Sequence, residues 1–144
     1  MVALLNYTTE IDAARTAGQV QAILAKAGAS DVAMRYEQGQ PVAVAFVAPT
    51  PFGPREFTLP IHADKVLAVL RRQKVQPKFQ TLDQARRVAW RIVKDWVEAQ
   101  LAIIATEMVT IDQVMLPYMR GDNGATVFEQ YTDQQQKLLE AGKG

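Results

Sequence analysis

Arg87, Arg91 and Lys94 recur at i, i+4 and i+7, a spacing that puts three cations on one helix face, with Trp90 flanking them and Arg86 beyond the indole. A guanidinium fork grips phosphate oxygens and an indole stacks on a flat ring, so the chemistry expected of this set is capture of an anion that carries a base. Arg71, Arg72, Lys74 and Lys78 lie just upstream, and half of the sixteen Lys and Arg residues fall between Arg71 and Lys94, opposed there only by Asp83. The ligand-binding expectation therefore names Arg86, Arg87, Trp90, Arg91, Lys94, Arg71 and Arg72, with Tyr36, Arg35, Arg55 and Phe52 as candidates for a second wall. The competing reading is a solvated helix face, with Trp90 in the core and Lys94 paired to Glu98 at i+4.

The remaining reactive residue types form no catalytic pattern. The chain has no cysteine, which excludes disulfides, thiolate metal sites and a thiol nucleophile. His62 is the single histidine, with no acidic cluster at ligand spacing, and it stands where a helix begins. Gly121-Asp122-Asn123-Gly124 lacks the further acidic ligands of a metal loop and reads as a turn. No glycine-rich phosphate loop and no G-x-S-x-G is present. A binding protein is expected rather than an enzyme, with no cofactor and no metal.

These side chains must be positioned by an α+β domain. Residues 2–11 alternate weakly and read as a short strand. Thr16-Ala17-Gly18-Gln19 reads as a capping box ahead of a helix whose stripe is Val20, Ile23, Leu24 and Ala27, with Gly28 at its C-terminal end. Val32, Met34 and Tyr36, then Val42, Val44 and Phe46 after Gln38-Gly39, alternate as a hairpin, and Arg55 to Leu59 adds a strand with Phe57 and Leu59 inward. Three prolines and a glycine between Ala48 and Pro54 predict a loop. The expected sheet is a small antiparallel meander of three strands, or four with the N-terminal one. It occupies about residues 1–60 of a single domain spanning 1–144, and the helical half covers about 61–140. A helix over 63–72 buries Val66, Val69 and Leu70. Thr81-Leu82-Asp83-Gln84 caps the long helix, Thr110-Ile111-Asp112-Gln113 a short one limited by Pro117, and Thr132-Asp133-Gln134-Gln135 a short polar tail.

The long helix, read over 82–107, is about 39 Å long at ~1.5 Å per residue. Its expected core stripe is Ala89, Ile92, Val93, Trp96, Ala99 and Ile103, and Trp90, Val97, Leu101, Ile104 and Met108 form a second, offset stripe. A helix apolar around more than half its circumference needs a second cover. Either residues 111–140 fold back over it, or Val97, Leu101, Ile104 and Met108 form a homo-oligomer interface.

A net charge of +1 argues against a surface built throughout to coat nucleic acid, and no run of residues approaches the ~20 apolar positions of a membrane span. The N-terminus has neither the basic start nor the long apolar run of a secretory signal, and cysteine is absent, so the expected setting is the cytoplasm.

The run from Arg87 to Ile104 (RVAWRIVKDWVEAQLAII), followed by Leu116-Pro117-Tyr118, resembles uncharacterised small proteins encoded by bacteriophages and prophages, as does the strand region from Arg35 to Pro60. The likeness covers roughly residues 8–120. It implies a viral or mobile-element origin and the bacterial host cytoplasm, and it carries no activity. Three functions stay open. The first is a phage-type sponge for a small anionic, nucleotide-like signal of host defence. The second is a nucleic-acid-binding accessory protein. The third is a protein-interaction module or inhibitor, in which the apolar helix face or the Pro-rich loop 48–54 docks a host protein.

Overall fold

The structure, a computed structural model, describes residues 2–143. Alternation over 31–60 becomes an antiparallel sheet in the order β1–β2–β3, with β1 at Asp31–Glu37, β2 at Gln40–Thr50 and β3 at Gly53–Pro60. Gln38 and Gly39 both take positive φ, 51° and 76°, as the tight turn between β1 and β2 requires. Register puts Met34 opposite Val44, Val44 opposite Leu59, and Phe46 opposite both Val32 and Phe57. One face of the sheet is thereby apolar, and the Phe46 and Phe57 rings stack at 5.3 Å. Between Arg35 and Tyr36 the register slips, because Arg35 pairs with Ala43 and Tyr36 with Pro41, leaving Val42 as the extra residue of a bulge.

The prolines of 48–54 do not open a long loop. β2 runs to Thr50 and β3 starts at Gly53, so Pro51 and Phe52 alone make the turn, held by Thr50, whose hydroxyl donates to the Gly53 carbonyl and accepts from the Phe52 N–H. Pro49 and Pro54 face each other as a register pair near the turn. Proline is tolerated at such places because few ladder donors are needed there.

α1 (Ala13–Lys26) lies on β1 and β2 and buries Ala13, Thr16, Ala17, Val20 and Leu24. Its apolar stripe starts a turn earlier than Thr16, so Thr16 sits inside the helix and does not cap it. Asp12 holds the N-cap position, and the Thr16 hydroxyl is buried with no partner. At the other end Gly28 takes φ 111°, and the N–H groups of Gly28 and Ala29 close back on the carbonyls of Ala25 and Leu24.

α2 (Ala63–Arg72) begins after His62, whose carbonyl accepts from Lys65 and Val66, and a 3₁₀ turn at Pro77–Phe79 leads to α3 (Leu82–Ala105). The Thr81 hydroxyl accepts from the Gln84 N–H at 3.1 Å, as the cap pattern predicts. α3 is flanked by α1 on one side and α2 on the other. The N-terminal residues are not a fourth strand. Asn6 is left-handed at φ 64°, and the segment turns across the helices, tied by side chains: Leu4 N–H donates to Gln73, Asn6 to Asp95, and Gln84 to the carbonyls of Tyr7 and Thr9. The free edge of β3 is met instead by Met119 opposite Phe57, with Arg120 N–H donating to the Glu56 carbonyl at 2.8 Å.

Burial divides both stripes of α3 along its length: of the expected core stripe Ala89 is buried and Val93 and Trp96 are half-buried against the core. Ala85, Val88, Ala89, Trp90 and Val97 are buried, whereas Ala99 and Ile103 of the expected core stripe are exposed. The first half of the helix is enclosed on several sides because Ala85 and Ala89 let neighbouring elements close in. Part of the second half is covered by α4 (Ile111–Met115) and the 3₁₀ turn Leu116–Tyr118: Met115 is fully buried, and the Tyr118 ring meets Trp96 edge-on at 5.7 Å.

The last helix, α5 (Val127–Lys143), is longer than the expected tail and starts before Thr132. Its cap is a reciprocal pair: Thr126 N–H donates to Glu129, and Glu129 N–H donates to the Thr126 hydroxyl. α5 has no fully buried side chain and packs chiefly on the 3₁₀ turn before it. Among the described residues no helix is long and apolar enough to cross a membrane.

Candidate functional site

The cation–indole site expected on α3 is not assembled. Trp90 is 0% exposed, and its Nε1–H donates to the Pro41 carbonyl at 3.0 Å, so the ring belongs to the core and offers no face to a ligand. The cations around it are engaged within the chain. Arg86 pairs with Asp83 at 2.9 Å and Lys94 with Glu98. Arg87 lies 3.5 Å from Asp12 and donates to Gln84, and Arg91 donates to Gln19 of α1 at 2.9 Å. The second-wall candidates are dispersed. Tyr36 and Phe52 stand by the turns at opposite ends of β2, whose 11 residues span about 36 Å at ~3.3 Å per residue. Arg35 pairs with Glu37, and Arg55 donates to the Pro54 carbonyl. The physical reason is the enclosure of the first half of α3: burying Trp90 there turned the adjacent cations toward α1 and toward acids of the chain.

Positive charge without a carboxylate partner lies elsewhere. Lys65, Arg71, Arg72, Lys74 and Lys78 are all exposed, form no salt bridge, and share their stretch with a single acid, Asp64. Lys74 closes α2 at φ 54°, and its N–H bonds to the Arg71 carbonyl, which fixes the cations at the helix end around one bend. The Lys78 ammonium lies 5.0 Å from the centre of the Phe79 ring. Arg71 and Arg72 differ from the cations of α3 with which they were grouped in having no side-chain partner among the described residues.

An apolar concavity lies at the far end of α3. It encloses about 400 Å³ between Leu101 and Ile104 on α3, Ala48, Pro49 and Pro51 on the β2–β3 hairpin, and Val109 and Ile111 at the start of α4. Glu107 supplies its one charged lining group. Glu107 is left-handed at φ 65°, with its N–H on the Ile104 carbonyl at 2.9 Å, so the chain turns sharply after α3 and leaves the trough open. Of the four residues expected at an oligomer interface, Leu101 and Ile104 line this groove and Met108 is 71% exposed beside it. Val97 does not belong with them: it is 0% exposed, inside the protomer core. The hairpin wall and Ile111 were not paired with α3 in the sequence; the prolines marked the wall, but its placement depends on how the sheet lies on the helices.

α5 adds a second uncovered apolar surface. Phe128, Tyr131, Leu138 and Leu139 fall within about 100° of its circumference, the width of a packing stripe, and are 50–68% exposed. A smaller polar notch of about 300 Å³, lined by Asp12, Gln40, Asp83 and Arg87, lies at the opposite end of α3 and carries acids as well as its cation. Among the described residues no group of three or more His, Cys, Asp or Glu side chains is placed to hold a metal ion. Comparison with protein-family models, with curated proteins and with solved structures finds no match for this chain.

Proposed function

We propose that this chain is a non-enzymatic protein-interaction module whose working surface is the apolar groove at the end of α3. One observation carries the reading: the apolar face of α3 and the Pro-rich hairpin, two features with separate docking signals in the sequence, form opposing walls of one trough through Leu101, Ile104, Pro49 and Pro51. Proline walls are rigid and lose little entropy on binding, and aliphatic side chains between them favour an amphipathic helix that lays its apolar stripe into the groove. In the setting implied by the phage resemblance, the partner is a protein of the bacterial cytoplasm and the module acts as an inhibitor or adaptor. The test is a titration of amphipathic helical peptides into the labelled intact chain held at nanomolar concentration, below the ~µM range in which a weak interface of standard size self-associates. Saturable binding is expected for the wild type and at least tenfold weaker binding for Ile104→Glu with an unchanged melting profile. No saturable binding by any peptide, or equal binding by the variant, sinks the reading.

A second reading is favoured by the cations of α2. Lys65, Arg71, Arg72, Lys74 and Lys78 have no acid partners, so their charge is available to a polyphosphate backbone. This supports a nucleic-acid accessory role better than a sponge for one small nucleotide, because these side chains line an open surface and Trp90 is withdrawn from it.

A further inference from the structure

We infer that the groove's occupant is α5 of a second copy of this chain, so that two copies exchange C-terminal helices. The inference rests on the reading of the groove as a docking seat and names its partner. Two uncovered apolar surfaces occur in the same chain, and each has the form the other lacks: a trough with aliphatic and proline walls, and a helix with a single apolar stripe.

α5 is not held by its own protomer. A 17-residue helix with no fully buried side chain is stabilised chiefly by local contacts: the Thr126–Glu129 cap, the Gln130 bonds to Asn123 and Ala125, the exposed Lys137–Asp133 pair and packing on the 3₁₀ turn. Isolated helices near this length are marginal in water, and most helical stability in proteins comes from packing an apolar face. Its starting direction is nevertheless fixed. Gly121 N–H bonds to the Ala125 carbonyl, Arg120 bridges to Thr126, and Val127 N–H bonds to the Met119 carbonyl, so the turn before α5 is a built support.

The areas agree with a stable pair. Whole aromatic side chains present about 150–250 Å², so the exposed parts of Phe128 and Tyr131, with Leu138 and Leu139, offer on the order of 400 Å² per helix at 50–68% exposure. The groove with its rim, Phe52 at 76% and Met108 at 71% exposure, offers a comparable apolar surface. Two helices in two grooves bury on the order of 1,600 Å² in all, the size of a standard specific interface. Reciprocal exchange also closes on itself as a two-fold dimer, leaving neither surface free to propagate.

The experiment uses full-length protein and sedimentation velocity at tens of micromolar, where even an interface at the weak, ~µM end for this area is populated. Wild type is expected to run as a dimer. Leu138→Ser with Leu139→Ser, on an exposed helix face, and Ile104→Glu in the groove are each expected to run as monomers with native melting. Mixing the two variants re-forms one of the two helix–groove contacts, because the intact helix of one fits the intact groove of the other, so a labelled trace of either is expected to pair with an excess of the other only at concentrations on the order of hundreds of micromolar. A monomeric wild type, or a dimer that survives the helix substitutions, overturns helix exchange. A monomeric wild type that still binds amphipathic peptides through Ile104 leaves the docking groove standing and gives it to a different protein; loss of both removes the groove as a site.

Discussion

Gln84 is 5% exposed and uses both ends of its amide: Nε2 donates to the Tyr7 and Thr9 carbonyls, each at 2.9 Å, and Oε1 accepts from Arg87. Its backbone N–H meanwhile takes the Thr81 cap. Gln84→Leu removes the donor and leaves two carbonyls of the N-terminal segment unpaired, which costs on the order of 1–3 kcal/mol. Thermal denaturation is expected to show a fall of several degrees, against little change for Asp83→Asn, which breaks only the solvent-facing pair with Arg86. A Gln84→Leu protein that melts like wild type contradicts the account. Trp90 shows why the site was harder to read than the fold. An indole between two arginines has the same local sequence whether it faces solvent or core. What decides is the Pro41 carbonyl, brought within 3.0 Å by a strand 49 positions away, and no helical spacing encodes that. Leu101 and Ile104 were legible as a face needing cover, whereas Val97, on the same stripe, is covered by the chain itself.

At the level of elements, the strands at 31–37 and 53–60 and the helix at 63–72 were legible because period and punctuation agree there. The long helix was legible in extent but not in which part of each stripe is covered, since its cover comes from α1, α2 and the N-terminal segment. Caps divide in the same way. Thr81 has an apolar helix directly after it, and its cap forms; Thr16 and Thr132 show equal local chemistry but fall inside helices whose apolar or capped starts lie earlier. For α5 the cap sets a pH response. The Thr126 backbone N–H, then the Thr126 hydroxyl, hold the Glu129 carboxyl below its ordinary value, with Arg120 adding a smaller attraction. A depressed folded-state value means the stabilisation is full above the ordinary glutamate range, near ~4.3, and is lost as pH falls through the lower folded value. Far-ultraviolet circular dichroism is expected to show part of the helical signal titrating below that range in wild type and no such step in Glu129→Gln, which cannot ionise. Coincident titrations would remove the cap from the explanation.

Across the whole molecule two surfaces stand out. Lys65, Arg71, Arg72, Lys74 and Lys78, on α2 and the bend after it, are exposed and form no salt bridge among the described residues, and Phe52, Met108 and the α5 stripe leave apolar surface at the β2–β3 turn, the far end of α3 and α5. If the cationic side meets a polyphosphate, five neutralised phosphates give a log–log salt slope of about −4 to −5, a loss of about 10²- to 10³-fold between 50 and 200 mM. Arg71→Ala with Arg72→Ala is expected to flatten that slope by about 2, measured by fluorescence anisotropy on duplex DNA of arbitrary sequence. Binding that is absent at 50 mM salt, or a slope the variant leaves unchanged, excludes the nucleic-acid reading and leaves the apolar side as the working surface. The N-terminal segment bears on the cationic side. It runs over the junction of α2 and α3, its backbone is held chiefly by the amides of Gln73 and Gln84, and Tyr7 meets Phe79 edge-on at 5.7 Å. α2 packs chiefly on α3. Segment, α2 and the 3₁₀ turn are therefore expected to open together in native-state hydrogen exchange, ahead of the sheet, α1 and the rest of α3.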